Sequence, residues 1–292
     1  MRISHNIAAM NTYRSYNSNA VTANKSMEKL SSGSRINRAA DDAAGLSISE
    51  KMRSQIRGLT QATRNAEDGV SFLQTAEGAL NEVSDMLTRL KELAVQVKNG
   101  TYSNDDAVNI GSEMNALGTA IAGIYTDTKF NGITVFGTQT AASGVLAEND
   151  GTATAATIAY GENGDQTVTI LAAVTSEMNA LTTLTAAATT GADAAAKATN
   201  AKLVDVDSVE AAITEVNTTR ATYGAQQNQL EHVTNNMATT KENLQSAESR
   251  VRDVDMAEEM TEYTKNSILL QAAQSMLAQA NSQPQGVLQL LQ

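Results

Sequence analysis

Apolar residues recur between Leu46 and Lys98 at a spacing that only a helix gathers onto one face. Ala76, Ala79, Val83, Met86, Leu90, Leu93 and Val97 step by three and four residues. A second row, Met52, Ile56, Leu59, Ala66, Val70, Leu73, Leu80 and Leu87, lies beside it. Two adjacent rows make a face too wide for a two-stranded coil, so the pattern predicts several partner helices. The stretch contains no proline and closes on Asn99-Gly100, a helix-stopping pair. One helix over these roughly fifty residues is about 80 Å long at about 1.5 Å per residue.

The flanking patterns supply the partners. Ser103-Asn-Asp-Asp106 is a capping-box pattern, and Ala107, Ile110, Met114, Leu117, Ile121 and Ile124 follow as a clean stripe. The short connection predicts a helix folded back antiparallel on the first. Asn131-Gly132 marks a turn before the β-formers Ile133, Val135 and Phe136. Val216, Tyr223, Leu230, Met237, Leu244 and Val251 stand seven apart, a heptad seam expected to bury Leu230 and Met237 against the long helix. The pattern passes through Met256, Met260, Tyr263, Leu270 and Leu277 and is expected to end at Pro284. At the other end, Ala9, Tyr13, Tyr16, Ala20, Ala23, Met27 and Leu30 make a thin stripe that Ser31-Ser32-Gly33 interrupts. Asp41 and Asp42 precede the long helix, where carboxylates suit its positive end.

Between Thr138 and Asn200 the composition shifts to Ala, Thr, Gly, Ser and Asp. Ile158 with Tyr160, and Val168 with Ile170, alternate as a hairpin does. Ala186 to Ala201 has little to bury and reads as surface loop or weak helix, so the middle is expected to face solvent. The fold class is therefore mainly α: a long antiparallel helical bundle or coiled coil with a small β-hairpin excursion from the middle. Residues 1–44 and 252–292 form one expected domain, a terminal helical pair. Residues 45–251 form a long-helix rod, with 130–205 as hairpin and surface excursion.

Composition fits this reading. Of 292 residues 41% are hydrophobic but only 3% aromatic, with no Trp and one Pro, which suits helices packed through small side chains. A net charge of −11 argues against a nucleic-acid partner. Cysteine is absent, so disulfide and thiolate chemistry are excluded. Met1 to Met10 lacks the cationic start and apolar run of a secretory signal, and no stretch reaches membrane-spanning length. His5 and His232 lie far apart and outside any zinc-peptidase pattern. Asp41 and Asp42 have no nucleophile or glycine cradle to join them, so capping outweighs acid/base work. No catalytic, cofactor or metal residues are expected.

Several ordered blocks at both ends resemble bacterial flagellin. They are Met1-Arg2-Ile3-Ser4-His5-Asn6-Ile7, Leu30-Ser31-Ser32-Gly33-Ser34-Arg35-Ile36-Asn37, Ala40-Asp41-Asp42-Ala43-Ala44-Gly45-Leu46 and Lys129-Phe130-Asn131-Gly132. Near the other end stand Ser249-Arg250-Val251-Arg252-Asp253-Val254-Asp255 and Ser275-Met276-Leu277-Ala278-Gln279-Ala280-Asn281. The resemblance covers about residues 1–137 and 206–292 and marks a short form without large outer domains. It implies an extracellular structural subunit of the flagellar filament, exported through the flagellum's own channel, whose ends fold on assembly. Self-assembly is then carried by Ala9, Tyr13, Tyr16, Met27 and Leu30 with Met260, Tyr263, Leu270 and Leu277. Arg35, Asn37, Asp41 and Asp42 are expected at a subunit or domain junction, with Arg35, Arg38 and Arg53 paired to carboxylates of a neighbouring subunit. Implied partners are other copies of the chain, an export chaperone, cap or junction proteins and an innate-immune Toll-like receptor. The receptor contact maps to Arg89, Leu93 and Glu113. Nucleic acid and membrane are not implied. Two competing readings are a hook–filament junction protein and an enzyme on a helical scaffold.

Overall fold

A computed structural model describes residues 6–136, 154–161, 164–171, 176–190 and 193–290. The described residues form seven helices and four short strands. They divide into two compact units, one of residues 57–241 and one of residues 1–56 with 242–292. Helices α2 (Ala43–Val97) and α6 (Val206–Arg252) each contribute to both.

In the 57–241 unit the doubled stripe of α2 is buried as its spacing requires. Leu59, Ala66, Leu73, Ala76, Leu80, Val83, Leu87, Leu90, Leu93 and Val97 are all in the core. α3 (Asn104–Asp127) begins on the capping box, with the Ser103 hydroxyl accepting from Asp106 N and the Asp106 carboxylate accepting from Ser103 N. It returns beside α2, where Arg89 meets Glu113 at 2.9 Å. α6 covers the remaining width. Val216, Tyr223, Leu230 and Met237 are buried, and Leu230 reaches α2 at Gly69. The four buried positions keep heptad spacing, so the seam holds over this unit. Lys91 pairs with Glu210, and Lys98 with Asp205, along the same flank.

Two hairpins sit on this frame. β1 (Lys129–Phe130) and β2 (Ile133–Thr134) are antiparallel around Asn131 and Gly132, both at positive φ of 50° and 82°. That is the backbone a two-residue hairpin turn demands. Phe130 stacks edge-on against Phe72 of α2 at 5.8 Å, and Phe136 lies 4.8 Å from the buried Tyr125 ring. Burial pushes the Tyr125 phenol well above its ordinary pKa, and the Glu215 charge adds to the effect. β3 (Thr154–Ala159) and β4 (Thr167–Leu171) pair antiparallel with Ile158 opposite Val168. Asn65 donates to Ala159 O and Gln226 donates to Thr169 O, which ties the hairpin to α2 and α6.

The stretch from 176 to 202 contains residues 186–201, expected as surface loop or weak helix. It folds into α4 (Ser176–Ala187) and α5 (Ala194–Lys202), which pack on α3. Leu181, Thr185, Ala188, Ala198 and Ala201 are buried. Small residues on both sides let the backbones approach closely, so the interface carries no large apolar signal in the sequence. Gly118 is the closest point: a Cβ there would overlap the Thr185 hydroxyl and lie 3.0 Å from its Cβ. The expected exposure of residues 138–153 and of Gly191 lies outside the described residues.

In the other unit α1 (Ile7–Ser32) pairs antiparallel with α7 (Met256–Leu290). Asn6 donates to Ala280 O at one end, and Lys29 meets Glu259 at the other. α7 does not stop at Pro284 but continues to Leu290. An interior proline removes one donor and bends a helix without necessarily ending it.

Gly118→Ala is expected to destabilise the protein by about 1–3 kcal/mol, the range for overpacking. Thr185→Ala should recover part of that loss in the double variant, since the two side chains share one space. Thermal melts of the four proteins check this; additive losses would show that α4 does not sit on Gly118.

Candidate functional site: the paired ends and their clasp

Gly33 ends α1 in the left-handed region at φ 69°, its N–H donating to Lys29 O. The chain then forms a clasp with the break between α6 and α7. Ser34 bridges Asp253, Arg35 N donates to Arg252 O at 2.7 Å, and Val254 N donates to Gly33 O. The Arg35 guanidinium adds a bond to Val251 O at 2.8 Å. Ile36 is buried beneath the clasp.

The four polar positions at 35–42 all act inside their own chain. Asn37 donates to Glu28 O and to the Ser32 hydroxyl. The Asp41 carboxylate accepts from the backbone N–H groups of Asn37 and Arg38, and Asp42 accepts from Gly45 N at the start of α2. The Arg38 backbone bond, with that from Asn37 and the charges of Lys25 and Lys29, holds the Asp41 carboxyl below its ordinary pKa. The arginines of this region also meet carboxylates of their own chain. Arg38 takes both oxygens of Glu28, and Arg53 lies against Glu50 and Glu248. Arg252 also bonds Glu50 and holds that carboxyl low.

The α1/α7 seam is unusual in what it encloses. Facing positions on α1 are Ala9, Thr12, Tyr16, Asn19, Ala23, Ser26 and Leu30; on α7 they are Glu259, Tyr263, Asn266, Leu270, Ala273, Leu277 and Ala280. Each set keeps alternating three- and four-residue steps, the spacing of a coiled-coil seam. Yet only Ala23, Ser26, Glu259 and Asn266 are buried among the described side chains of the two helices. The large apolar residues point the other way. Ile7, Met10, Tyr13, Val21 and Met27 on α1, and Met256, Met260, Ile268, Leu269 and Met276 on α7, are 40–68% exposed. The fully buried seam positions are small or polar, Tyr16, Leu30, Tyr263, Leu270 and Leu277 are half-buried beside them, and the methionines and isoleucines line the outside.

This splits the nine positions assigned to self-assembly. Ala9, Tyr16, Leu30, Tyr263, Leu270 and Leu277 face the intrachain seam, whereas Tyr13, Met27 and Met260 face out. On α1 the sequence stripe shares Ala9, Tyr16, Ala23 and Leu30 with the seam but takes Tyr13, Ala20 and Met27 where the seam uses Thr12, Asn19 and Ser26, one residue off in its second row. Ile7, Met10, Val21, Met256, Ile268, Leu269 and Met276 belong with the outward set and were missed; their signal was large apolar residues between seam positions.

Of the three residues mapped to a receptor, Arg89 and Glu113 pair across α2 and α3, with Arg89 also bonded to Glu92 at 2.9 Å. Leu93 is buried at 1% exposure, so it supports the helix pair from below and offers no surface. A crevice of about 290 Å³ beside the β3–β4 hairpin is lined by Leu59, Tyr160, Asp165, Gln166, Asn236 and Met237, a mixture with no nucleophile–base pair. Among the described residues no group of His, Asp and Glu could hold a metal ion, and no helix is long and apolar enough to cross a membrane.

The fold is mainly α, with the N- and C-terminal helices paired into a single element. The bacterial flagellin N-terminal helical region matches residues 3–141, and the flagellin C-terminal helical region matches residues 206–291. Flagellin of Bacillus subtilis (strain 168) is 47% identical over 304 residues, covering all of both chains. The flagellar filament 33 kDa core protein of Treponema phagedenis is 43% identical, again over the full length of both. The chain belongs to the bacterial flagellin family. A putative flagellar hook-associated protein from Vibrio parahaemolyticus shares the fold, with TM-score 0.55 and 14% identity over 73% of this chain and 100% of that one.

Asp41 gives a pH test of the clasp. Its folded pKa is lowered from 3.8, so its contribution is present above that value and lost as pH falls through the folded pKa. Asp41→Asn should melt below the parent at pH 7, and the gap should close in acid below about 3.8. A gap that persists at low pH would show that the carboxylate charge is not what the clasp uses.

Proposed function

We propose that this flagellin-family chain is a structural subunit that polymerises into a flagellar filament by burying the outward faces of α1 and α7 against other copies of itself. The carrying observation is the inverted seam. Ten large apolar side chains on two helices stand in water, while the seam between them holds Glu259 and Asn266. An isolated pair with so little buried apolar surface is marginal, because ordering a residue costs about 1–2 kcal/mol of backbone entropy. Covering the outer faces supplies what the pair lacks, so assembly and full ordering of the ends are coupled. Both segments are helical in the single chain, and the coupling concerns how firmly they hold. Residues 1–44 and 252–292 then make the inner part of the polymer and 45–251 the outer part. The subunit works outside the cell, reached through the flagellar channel, and meets an export chaperone and cap or junction proteins on the way.

The same geometry supports a role for the Arg89–Glu113 pair in recognition by an innate-immune Toll-like receptor, since it forms a half-exposed polar patch across two helices. Arg89→Asp should lower signalling by free monomer while shifting stability by no more than about 0.5 kcal/mol. Undiminished signalling would remove this role.

The polymer reading is tested on the outer faces. A double variant, Tyr13→Glu with Met260→Glu, should keep the parent's melting temperature within about 0.5 kcal/mol of stability, because both sites are exposed. It should grow no long filaments in electron micrographs at neutral pH, where the parent does. Filaments from the double variant would overturn the assigned faces. A parent that forms only short caps on pre-formed hook would instead favour a hook–filament junction protein.

A further inference from the structure

The methionines are distributed unevenly. Met114 and Met237, in the 57–241 unit, are 0% and 5% exposed, and Met52 and Met86 are half-buried. Met10, Met27, Met256, Met260 and Met276 are 50–68% exposed, and all five lie on α1 and α7, off the intrachain seam. Met260 also lines an open groove with Thr264, Lys265 and Ile268 on α7. Soluble proteins scatter single apolar side chains on their surfaces, but five thioethers confined to one helix pair form a distinct chemical surface.

We propose that these five thioethers are a reversible oxidation site for peroxides, and that their oxidation switches the free subunit to an assembly-incompetent form. This rests on the reading that the outer faces of α1 and α7 are covered in the polymer. The chemistry is a two-electron oxygen transfer. A sulfur lone pair attacks one peroxide oxygen, an S–O bond forms and the O–O bond breaks. The sulfur is oxidised, and the second peroxide oxygen leaves as hydroxide and takes up a proton as water. The product sulfoxide is polar and chiral where the thioether was apolar and adaptable. On the outer face of the pair it is well solvated, so the monomer keeps its fold. In the polymer the same group would have to be buried without a partner, which disfavours docking. The covered face protects its own methionines once assembly is complete. The free subunit is therefore the sensitive species and the filament the resistant one. Met114 and Met237 serve as internal references, since their oxidation would report unfolding of the other unit.

The test treats full-length monomer and pre-formed filament with the same dilute hydrogen peroxide and maps sulfoxides by peptide mass spectrometry. In the monomer, Met10, Met27, Met256, Met260 and Met276 should oxidise at least about tenfold faster than Met114 and Met237. In the filament that advantage should disappear. Oxidised monomer should lose most of its polymer growth with an unchanged melting curve, and regain it after methionine sulfoxide reductases specific for both epimers. With all five changed to Leu, any growth the variant keeps should ignore peroxide, and the reductase arm decides whether or not that variant grows. Equal oxidation of monomer and filament, or normal growth by fully oxidised monomer, overturns the proposal. Failure of untreated parent to polymerise would instead refute the assembly reading beneath it.

Discussion

Every long helix here has an apolar face, and the structure follows from whether that face finds cover within the chain. α2 carries two adjacent stripes, and α3, α6 and both hairpins are placed so that most of its width is dry. Large aliphatic side chains fill that space, and burying each contributes about 1.5–3 kcal/mol. The α1/α7 pair obeys the same rule with the opposite result. Its seam mixes alanine, serine, asparagine and glutamate with a few half-buried Tyr and Leu, and ten large apolar side chains stay outside. One unit is closed by its own chain, and the other is left to be closed by something else.

The polar seam also carries information. Asn266 is 6% exposed, and its amide nitrogen has no hydrogen-bond partner; Glu259, 7% exposed, reaches Lys29 with one oxygen only. Buried polar groups of this kind weaken a coiled coil but penalise slipped registers more. The clasp at Gly33–Arg35 and Arg252–Val254 fixes the same register from one end, and Asn6 on Ala280 from the other. The pair thus knows its alignment before anything covers it, at modest stability.

Much of this was legible from spacing alone. α2 was expected over 46–98 and runs over Ala43–Val97; the Ser103 capping box, the Asn131-Gly132 turn and the Ile158/Val168 hairpin stand where the residues put them. These features are local or strongly periodic. The stretch 176–202 was illegible because alanine and threonine pack on Gly111 and Gly118 by closeness, which leaves no amplitude in a hydrophobic pattern. The seven-residue spacing stops at Val251 and resumes five residues on at Met256, and the break at 253–255 falls in that gap, held by the pairing with Gly33 and Ser34. Arg38 and Arg53 meet Glu28 and Glu248, which become their neighbours only after folding and so leave no signature in the spacing. Inward and outward residues of α1 could not be separated by a stripe that tracked both.

Amide hydrogen exchange on monomer and filament tests the central claim most directly. Helices that hold by a small polar seam open readily, and exchange reports that opening residue by residue. The amides of α1 and α7 should exchange quickly in the monomer and at least about a hundredfold more slowly in the filament. Those of α2 between Leu73 and Val97, already enclosed by their own chain, should change little. Ends as protected in the monomer as in the filament would contradict the account, because the pair would then need no cover from other copies.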